Sequence, residues 1–436
     1  MCNAAGMKAT RLTLIAGLAA LLAACSSSPS NPSSADGGGG GDDDDAPDAQ
    51  LPPDAKPFTG ADAGCAETPA WTGNDNVAPS KSPPGGLQPA QVPQFVSIGW
   101  DDNFQTDAIY WATTILADRV NPPGNGHACT YDGTQVHGSF YLSTTYITED
   151  GSTEDAPLVK QAWHKELTDG NEMADHTHLH ADGVALAFTV DQWKAELQTC
   201  IDWLTKPYDP GEEETGHVDP TKGIGVAKAS IVGFRTPFLS YNDATFSALD
   251  EMGFHYDCTI EDGYQGDQDG TNNFWPYTLD SGSPANGSIG HHPGLWELPV
   301  YPVIVPPDSK CAEYGVPTGL RAKMLNVDPG FDVSSGKITG LDYNMWILYR
   351  MSKAEFVATL KYTLDQHLAG NRTPMMFGAH PDLYSATTPD ENPPNATYTE
   401  RREAIQEFLD YALSKQDVRV VPNATILDWI RKPSAL

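Results

Sequence analysis

Positive charge is scarce in this sequence. Its 436 residues include 26 lysines and arginines against 58 aspartates and glutamates, a formal net charge of -32. So acidic a chain repels phosphate backbones, which excludes nucleic acid as a partner held by bulk charge. Long apolar runs are missing too. The one candidate, LTLIAGLAALLAA at residues 12–24, is too short for a comfortable membrane span, and no later segment is apolar for long enough. Cysteine is sparse, with seven residues and no CxxC pair, so a cysteine metal site is not expected.

The apolar run follows Lys8 and Arg11 and ends at Leu22-Ala23-Ala24-Cys25, the layout of a bacterial lipoprotein signal. Residues 1–24 are therefore expected to be removed and Cys25 lipidated. Residues 25–91 are rich in Ser, Gly, Asp and Pro, with little to bury, and read as a disordered, solvated tether. Together these features predict an exported protein anchored to a membrane of the bacterial envelope through Cys25. Residues 92–436 are left as one folded domain. Export permits disulfides, but the pairing among Cys65, Cys129, Cys200, Cys258 and Cys311 stays open, and their odd number leaves a thiol over.

Within that domain strand-like and helix-like segments alternate. QFVSIGW (94–100), GSFYLST (138–144), SIVGFRTPF (230–238), HYDCTI (255–260), TPMMFGAH (373–380) and VRVV (418–421) read as strands. Between them lie stretches of helical period; the one at 189–206 opens on a Thr or Asp cap, NDATFSALDEMG is capped and ends at Gly253, and a later long one stops at Gly370. This alternation predicts an α/β fold, a parallel sheet with helices outside that closes toward a distorted (β/α) barrel. Residues 260–350, rich in Gly, Pro, Asn and aromatics, read as long insertions around its rim.

The residues able to do chemistry fall just after strands. They are Asp101-Asp102, the histidines of DHTHLH (175–180), Arg235 in FRTPF, and His380 in MMFGAH. The carboxyl ends of parallel barrel strands converge on one face, so four separated motifs can share one site. The local conformation of HTHLH decides its geometry. As a strand it would present His176, His178 and His180 together. As a helical turn it would pair His176 with His180, turn His178 away and need a third ligand from elsewhere. A guanidinium at Arg235 would orient an ionised aspartate beside it.

Taken in order, Asp-Asp after the first strand, H-T-x-x-H, R-x-P-F and an apolar strand ending in His resemble the polysaccharide deacetylase signature (NodB-like, carbohydrate esterase family 4). In shape the chain is closest to the longer, arthropod-type chitin deacetylase-like members, over about residues 92–433. HYDCTIEDGY, FWPYTLD, LWELPV and NRTPMMFGAH fall in the same order as comparable stretches there.

The resemblance implies a distorted (β/α) barrel and a hydrolase that removes N-acetyl groups from amino-sugar polymers or oligomers. Asp102, His176 and His180 would hold a divalent metal, Zn²⁺ or another such as Co²⁺, leaving His178 out. Asp101 would be the base, with Arg235 positioning it. The backbone N–H of Phe238 would meet the oxyanion, and His380 would protonate the departing amine. GWDDN replaces the usual TFDDG or TFDDA and sets Trp100 beside the acids, and Phe238 stands where Tyr is commoner. The acid that tunes the catalytic His is not obvious: Glu297 and Asp257 are the candidates. Trp100, Trp296 and Tyr384, with Trp275 and Tyr277, are candidates to stack on sugar rings. The expected partners are an acetylated carbohydrate and, through the lipid, a membrane; a monomer is expected. O-acetyl esters or a non-sugar C–N bond are alternative substrates for the same site, and a sugar-binding lipoprotein without activity is the non-enzyme alternative.

Overall fold

The computed structural model describes residues 68–148, 156–387 and 396–436. Residues 1–24 and the lipidation position Cys25 lie outside the described residues. So does the tether as far as residue 67.

Gln94–Trp100 forms β1, an interior strand of the sheet, and all seven of its residues are buried. Both faces of a mid-sheet parallel strand are covered, which is why QFVSIGW is apolar almost throughout rather than alternating. Ser139–Leu142 (β2), Glu172–Asp175 (β3), Gly233–Phe234 (β4) and Tyr256–Asp257 (β5) follow in parallel on one side. Next to β5 come His292–Glu297 (β7), parallel, and Tyr277–Leu279 (β6), antiparallel to β7. On the other edge of β1 lies Met375–Ala379 (β10), in parallel register from Val96 with Met375 to Trp100 with Ala379. Val418–Val420 (β11) pairs with the first half of β1. Val303–Ile304 (β8) and Lys337–Ile338 (β9) form a separate small ribbon. The result is the expected α/β architecture, a curled, mostly parallel sheet with helices packed outside, forming a distorted half-barrel.

The helices sit where the sequence period places them. Val190–Thr205, Asp243–Met252, Lys353–Ala369 and Tyr398–Leu413 each begin with a reciprocal capping box, from Thr189, Asn242, Ser352 and Thr397 respectively. Gly253, at φ 78°, ends the second of them in the left-handed conformation. No helix among the described residues is long and apolar enough to cross a membrane.

Two expectations need correction. Residues 68–91, assigned to the tether by composition, lie against the domain. Trp71 stacks on His255 with ring centroids 4.0 Å apart, and Asp75 accepts hydrogen bonds from Arg431 at 2.7 Å and Trp296 at 2.9 Å. A few well-placed aromatic and charged side chains are enough to order a Pro-rich segment that cannot build its own core. Residues 260–350 are not only rim insertion either, since β6 and β7 are strands of the main sheet. Their apolar residues are buried by neighbours distant in sequence, a feature that Gly and Pro content hides.

Candidate active site

The parallel register of β1 and β10 brings the first and last motifs together. Asp101 continues β1 and donates its N–H to the Ala379 carbonyl at 2.8 Å, so Asp101 and His380 leave adjacent strands side by side. Asp101 is 3% exposed, and its Oδ1 accepts from Arg235 Nη1 at 2.7 Å. Arg235 is itself fixed from three sides. Its Nε donates to the Cys258 carbonyl at 2.9 Å and its Nη2 to Cys258 Sγ at 3.2 Å, while its guanidinium lies 4.3 Å from the centre of the Tyr141 ring. Gly99 makes room for this group, since a Cβ there would stand 2.8 Å from Arg235 Nη1 and 2.9 Å from Tyr141 Cε2.

Asp102 turns the other way. It and Asn103 adopt left-handed conformations, φ 68° and 61°, and buried Asn103 pins the turn by donating to the carbonyls of Trp100 and Tyr141 at 2.7 and 3.1 Å. Strained non-glycine residues held in this way mark sites where geometry matters more than local comfort. The Asp102 carboxylate meets His180 Nε2 at 2.8 Å and His176 Nε2 at 3.5 Å. Burial alone would raise its pKa. The two imidazoles beside it, His180 more than His176, outweigh burial and hold it well below the usual carboxylate range.

His176 is oriented from behind. Its Nδ1 lies 2.7 Å from the Arg235 carbonyl, and a carbonyl cannot donate, so Nδ1 carries the proton and Nε2 keeps its lone pair toward Asp102. Ligand atoms of Asp102, His176 and His180 all lie within 4.8 Å of one another. Two imidazoles and a largely buried carboxylate at this spacing suit a divalent cation with room left for other ligands.

HTHLH is neither of the two expected conformations. It bends through left-handed Thr177 (φ 69°) and His180 (φ 51°), held by Thr177 N–H donating to Asp175 at 2.7 Å and His180 N–H donating to Thr177 Oγ1 at 3.1 Å. The pairing of His176 with His180 survives by this other route. His178 points away, its Nδ1 2.9 Å from Thr144 Oγ1.

His380 is partnered by an acid absent from the sequence expectations. Asp342 Oδ1 lies 2.7 Å from His380 Nδ1, and Oδ2 accepts the His380 N–H at 2.9 Å. Burial would depress the imidazole. Asp342, with Asp101 and Asp102 nearby, reverses that and raises its pKa to about 10. Asp342 is delivered by a segment alongside β10, where Gly378 N–H donates to the Gly340 carbonyl at 2.8 Å. The only hint in the sequence is a short apolar stretch ending in an acid, KITGLD, which repeats the pattern of β1.

The two acids proposed for that task do something else. Asp257 and Glu297 hydrogen-bond each other on neighbouring strands β5 and β7, with burial raising both and leaving Asp257 near 6. Asp257 also accepts from Thr259 Oγ1 at 2.6 Å, and Thr259 Oγ1 in turn accepts the Thr236 N–H at 3.0 Å. They therefore brace the loop after Arg235. Trp100, Trp296 and Tyr384 are also corrected: each is at most 1% exposed, as core aromatics that offer no ring face to a ligand. Trp275 and Tyr277 are buried as well. Phe238 is 40% exposed, at φ 60°, its ring centroid 4.7 Å from that of His180. Among the cysteines, Cys129 is disulfide-bonded, while Cys200, Cys258 and Cys311 are buried free thiols.

A curled parallel sheet carrying Asp-Asp, a histidine pair, Arg and a carboxylate-bound His at its strand ends is the arrangement expected from the resemblance to the NodB-like polysaccharide deacetylases. No family model matches the chain. Chitin deacetylase 8 of Bombyx mori is 24% identical over 352 residues, covering 80% of this chain and 74% of the relative. Chitin deacetylase 1 of the same species is 23% identical over 359 residues, 80% of this chain, which spans only 53% of that relative. Among solved structures, a Mycobacterium smegmatis protein described as a polysaccharide deacetylase shares 18% identity with a TM-score of 0.44, covering 83% of this chain and 98% of its own. The Xyl-CE4 domain of a xylanase from a Trinervitermes trinervoides hindgut metagenome shares 9% identity with a TM-score of 0.34, covering 77% and 90%. The curated relatives bear out the resemblance to the polysaccharide deacetylases, and to their chitin deacetylase-like members.

Proposed function

We propose that this chain is a metal-dependent hydrolase that removes N-acetyl groups from amino-sugar polymers or oligomers of the chitin or peptidoglycan type. The observation that carries the proposal is the convergence of Asp102, His176 and His180 beside two preset proton-handling pairs, Asp101 with Arg235 and His380 with Asp342.

Asp102, His176 and His180 would hold the metal, Zn²⁺ by the chemistry of the donor set, and when bound it would supply Lewis acidity at the acetamide carbonyl. Asp101, oriented by Arg235 and nearly dehydrated, is placed to accept a proton from the attacking water. The Phe238 main-chain N–H, on a left-handed residue beside His180, is the donor proposed to face the oxygen where charge develops. His380 is kept protonated at neutral pH by Asp342 and is placed to give its proton to the departing amine. The base and acid thus lie at the ends of adjacent strands, each oriented by a partner of its own.

Acetate release from chitooligosaccharides, peptidoglycan fragments and acetylated xylan, with and without chelator, tests this reading. Release from the amino-sugar substrates that chelator abolishes is expected. Activity on acetylated xylan alone would move the substrate to O-acetyl esters. We also propose export and anchoring through lipidated Cys25; mass spectrometry that finds an unmodified, intact N-terminus on the mature protein would sink that part.

A further inference from the structure

With Trp100, Trp296 and Tyr384 buried in the core, the ring surfaces that meet a sugar must come from elsewhere. Three half-buried aromatics surround the Asp102 and His380 carboxylate and imidazole. Phe104 follows Asp102 by two residues, and its ring packs on that of Tyr146 with centroids 4.9 Å apart. Tyr343 follows Asp342, its ring centroid 6.1 Å from that of His380.

The two tyrosines differ from most others in the domain. Buried tyrosines such as Tyr141, Tyr256, Tyr277 and Tyr301 all hydrogen-bond through their hydroxyls to protein groups. Among the described residues the Tyr146 and Tyr343 hydroxyls have no such partner. Burial followed by the Asp102 and Asp382 carboxylates pushes the Tyr146 hydroxyl well up, and burial followed by Asp382 pushes Tyr343 to about 12. Both therefore stay protonated as donors through the neutral range. The Asp382 carboxylate acts on both hydroxyls, and one of its oxygens is buried without a partner among the described residues.

Tyr146 is also deliberately held. It sits on the turn Thr144–Ile147, which His178 fastens to the metal-binding loop. Thr145 N–H donates to the His178 carbonyl at 2.8 Å, and Thr144 Oγ1 meets His178 Nδ1 at 2.9 Å. The histidine left out of the metal cluster joins that cluster to the aromatic wall.

We propose that Tyr146, backed by Phe104, and Tyr343 are the two walls that grip consecutive pyranose rings, their ring faces on sugar C–H surfaces and their free hydroxyls on sugar hydroxyls. This rests on the deacetylase reading and deepens it: the site takes a chain of at least two rings, not an isolated acetylated sugar. An aromatic face complements a pyranose ring through dispersion and apolar burial, and its hydroxyl supplies direction.

The test is calorimetric titration of chitotetraose into the full chain, metal-loaded, in an Asp101→Asn background that blocks turnover. Loss of a stacking ring is expected to weaken binding about tenfold in Tyr146→Ala and in Tyr343→Ala. Tyr146→Phe and Tyr343→Phe, which keep the packing and lose one hydrogen bond, are expected to lose about threefold. Metal uptake should match the background in all four, and melting temperature in the two Phe variants, which keep the rings packed on the core. Affinity for chitotetraose unchanged across the four variants, with acetate release by the wild-type chain intact, would overturn the two walls and leave the deacetylase reading standing. No saccharide binding by the background and no acetate release by the wild type would remove both.

Discussion

Asp342 holds His380 by both carboxylate oxygens, Oδ1 at 2.7 Å from the imidazole Nδ1 and Oδ2 at 2.9 Å from the main-chain N–H. One acid thereby fixes the ring orientation, places the proton on Nδ1 and keeps the imidazole charged at neutral pH.

Replacing that acid should move a pH profile in a defined direction. His380 has a pKa of about 10, raised over its ordinary value, so its protonated form and the activity it supports are lost as pH rises through about 10. In Asp342→Asn the imidazole loses its counter-charge, and the alkaline limb of kcat/KM should fall by at least about one pH unit. The same raised pKa contributes stability that is full below about pH 6.5 and disappears as pH climbs toward the folded value. Melting temperatures from pH 6 to 10 should fall less steeply in Asp342→Asn than in the wild type. An unmoved alkaline limb would remove Asp342 from its assigned role.

Arg235 is a buried cation whose main partner is Asp101. Removing it in Arg235→Ala strands the carboxylate and should cost about 3–5 kcal/mol, read from chemical denaturation. Arg235→Lys keeps a charge but cannot reach Asp101, the Cys258 carbonyl and the Cys258 thiol together. It should fold, and lose at least about tenfold in kcat with little change in KM, because the base is misaligned rather than the substrate.

Gly99→Ala tests the packing that lets Arg235 reach Asp101. The added methyl would meet Arg235 Nη1 at 2.8 Å and Tyr141 Cε2 at 2.9 Å, and the crowding should cost about 1–3 kcal/mol. Activity should fall with it, measured at a temperature where the variant is still folded.

The three histidines should separate cleanly in a zinc competition assay. His176→Ala and His180→Ala should each lower affinity by about a hundredfold or more, while His178→Ala stays within about threefold of the parent. Equal losses at all three positions would contradict the division seen in the structure.

The sequence carried the site better than it carried its surroundings. Asp101, Asp102, the histidines of HTHLH, Arg235 and His380 sit at the ends of strands or in turns directly after them, so strand period located them as a group, while the choice of His176 and His180 over His178 came from the resemblance to the deacetylases. Asp342 was illegible because its contact with His380 depends on a segment pairing beside β10 from within a Gly- and Pro-rich stretch. Trp100, Trp296 and Tyr384 have the composition of a sugar platform, but burial is decided by tertiary neighbours, and composition is blind to it. HTHLH was underdetermined for another reason: left-handed Thr177 and His180 bend the chain without the glycine that usually announces such a turn. Residues 68–91 show the converse, a tether-like composition ordered by Trp71 and Asp75 finding partners on the domain.

The central claim is that Asp102, His176 and His180 form the metal centre of a deacetylase. Titrating Zn²⁺ into metal-free full-length protein while following acetate release from chitotetraose tests it most directly. Activity should be absent without metal and rise to a plateau at one equivalent, and Asp102→Asn should stay inactive throughout the titration. Full acetate release by the metal-free protein, or a plateau unaffected by Asp102→Asn, would contradict the claim.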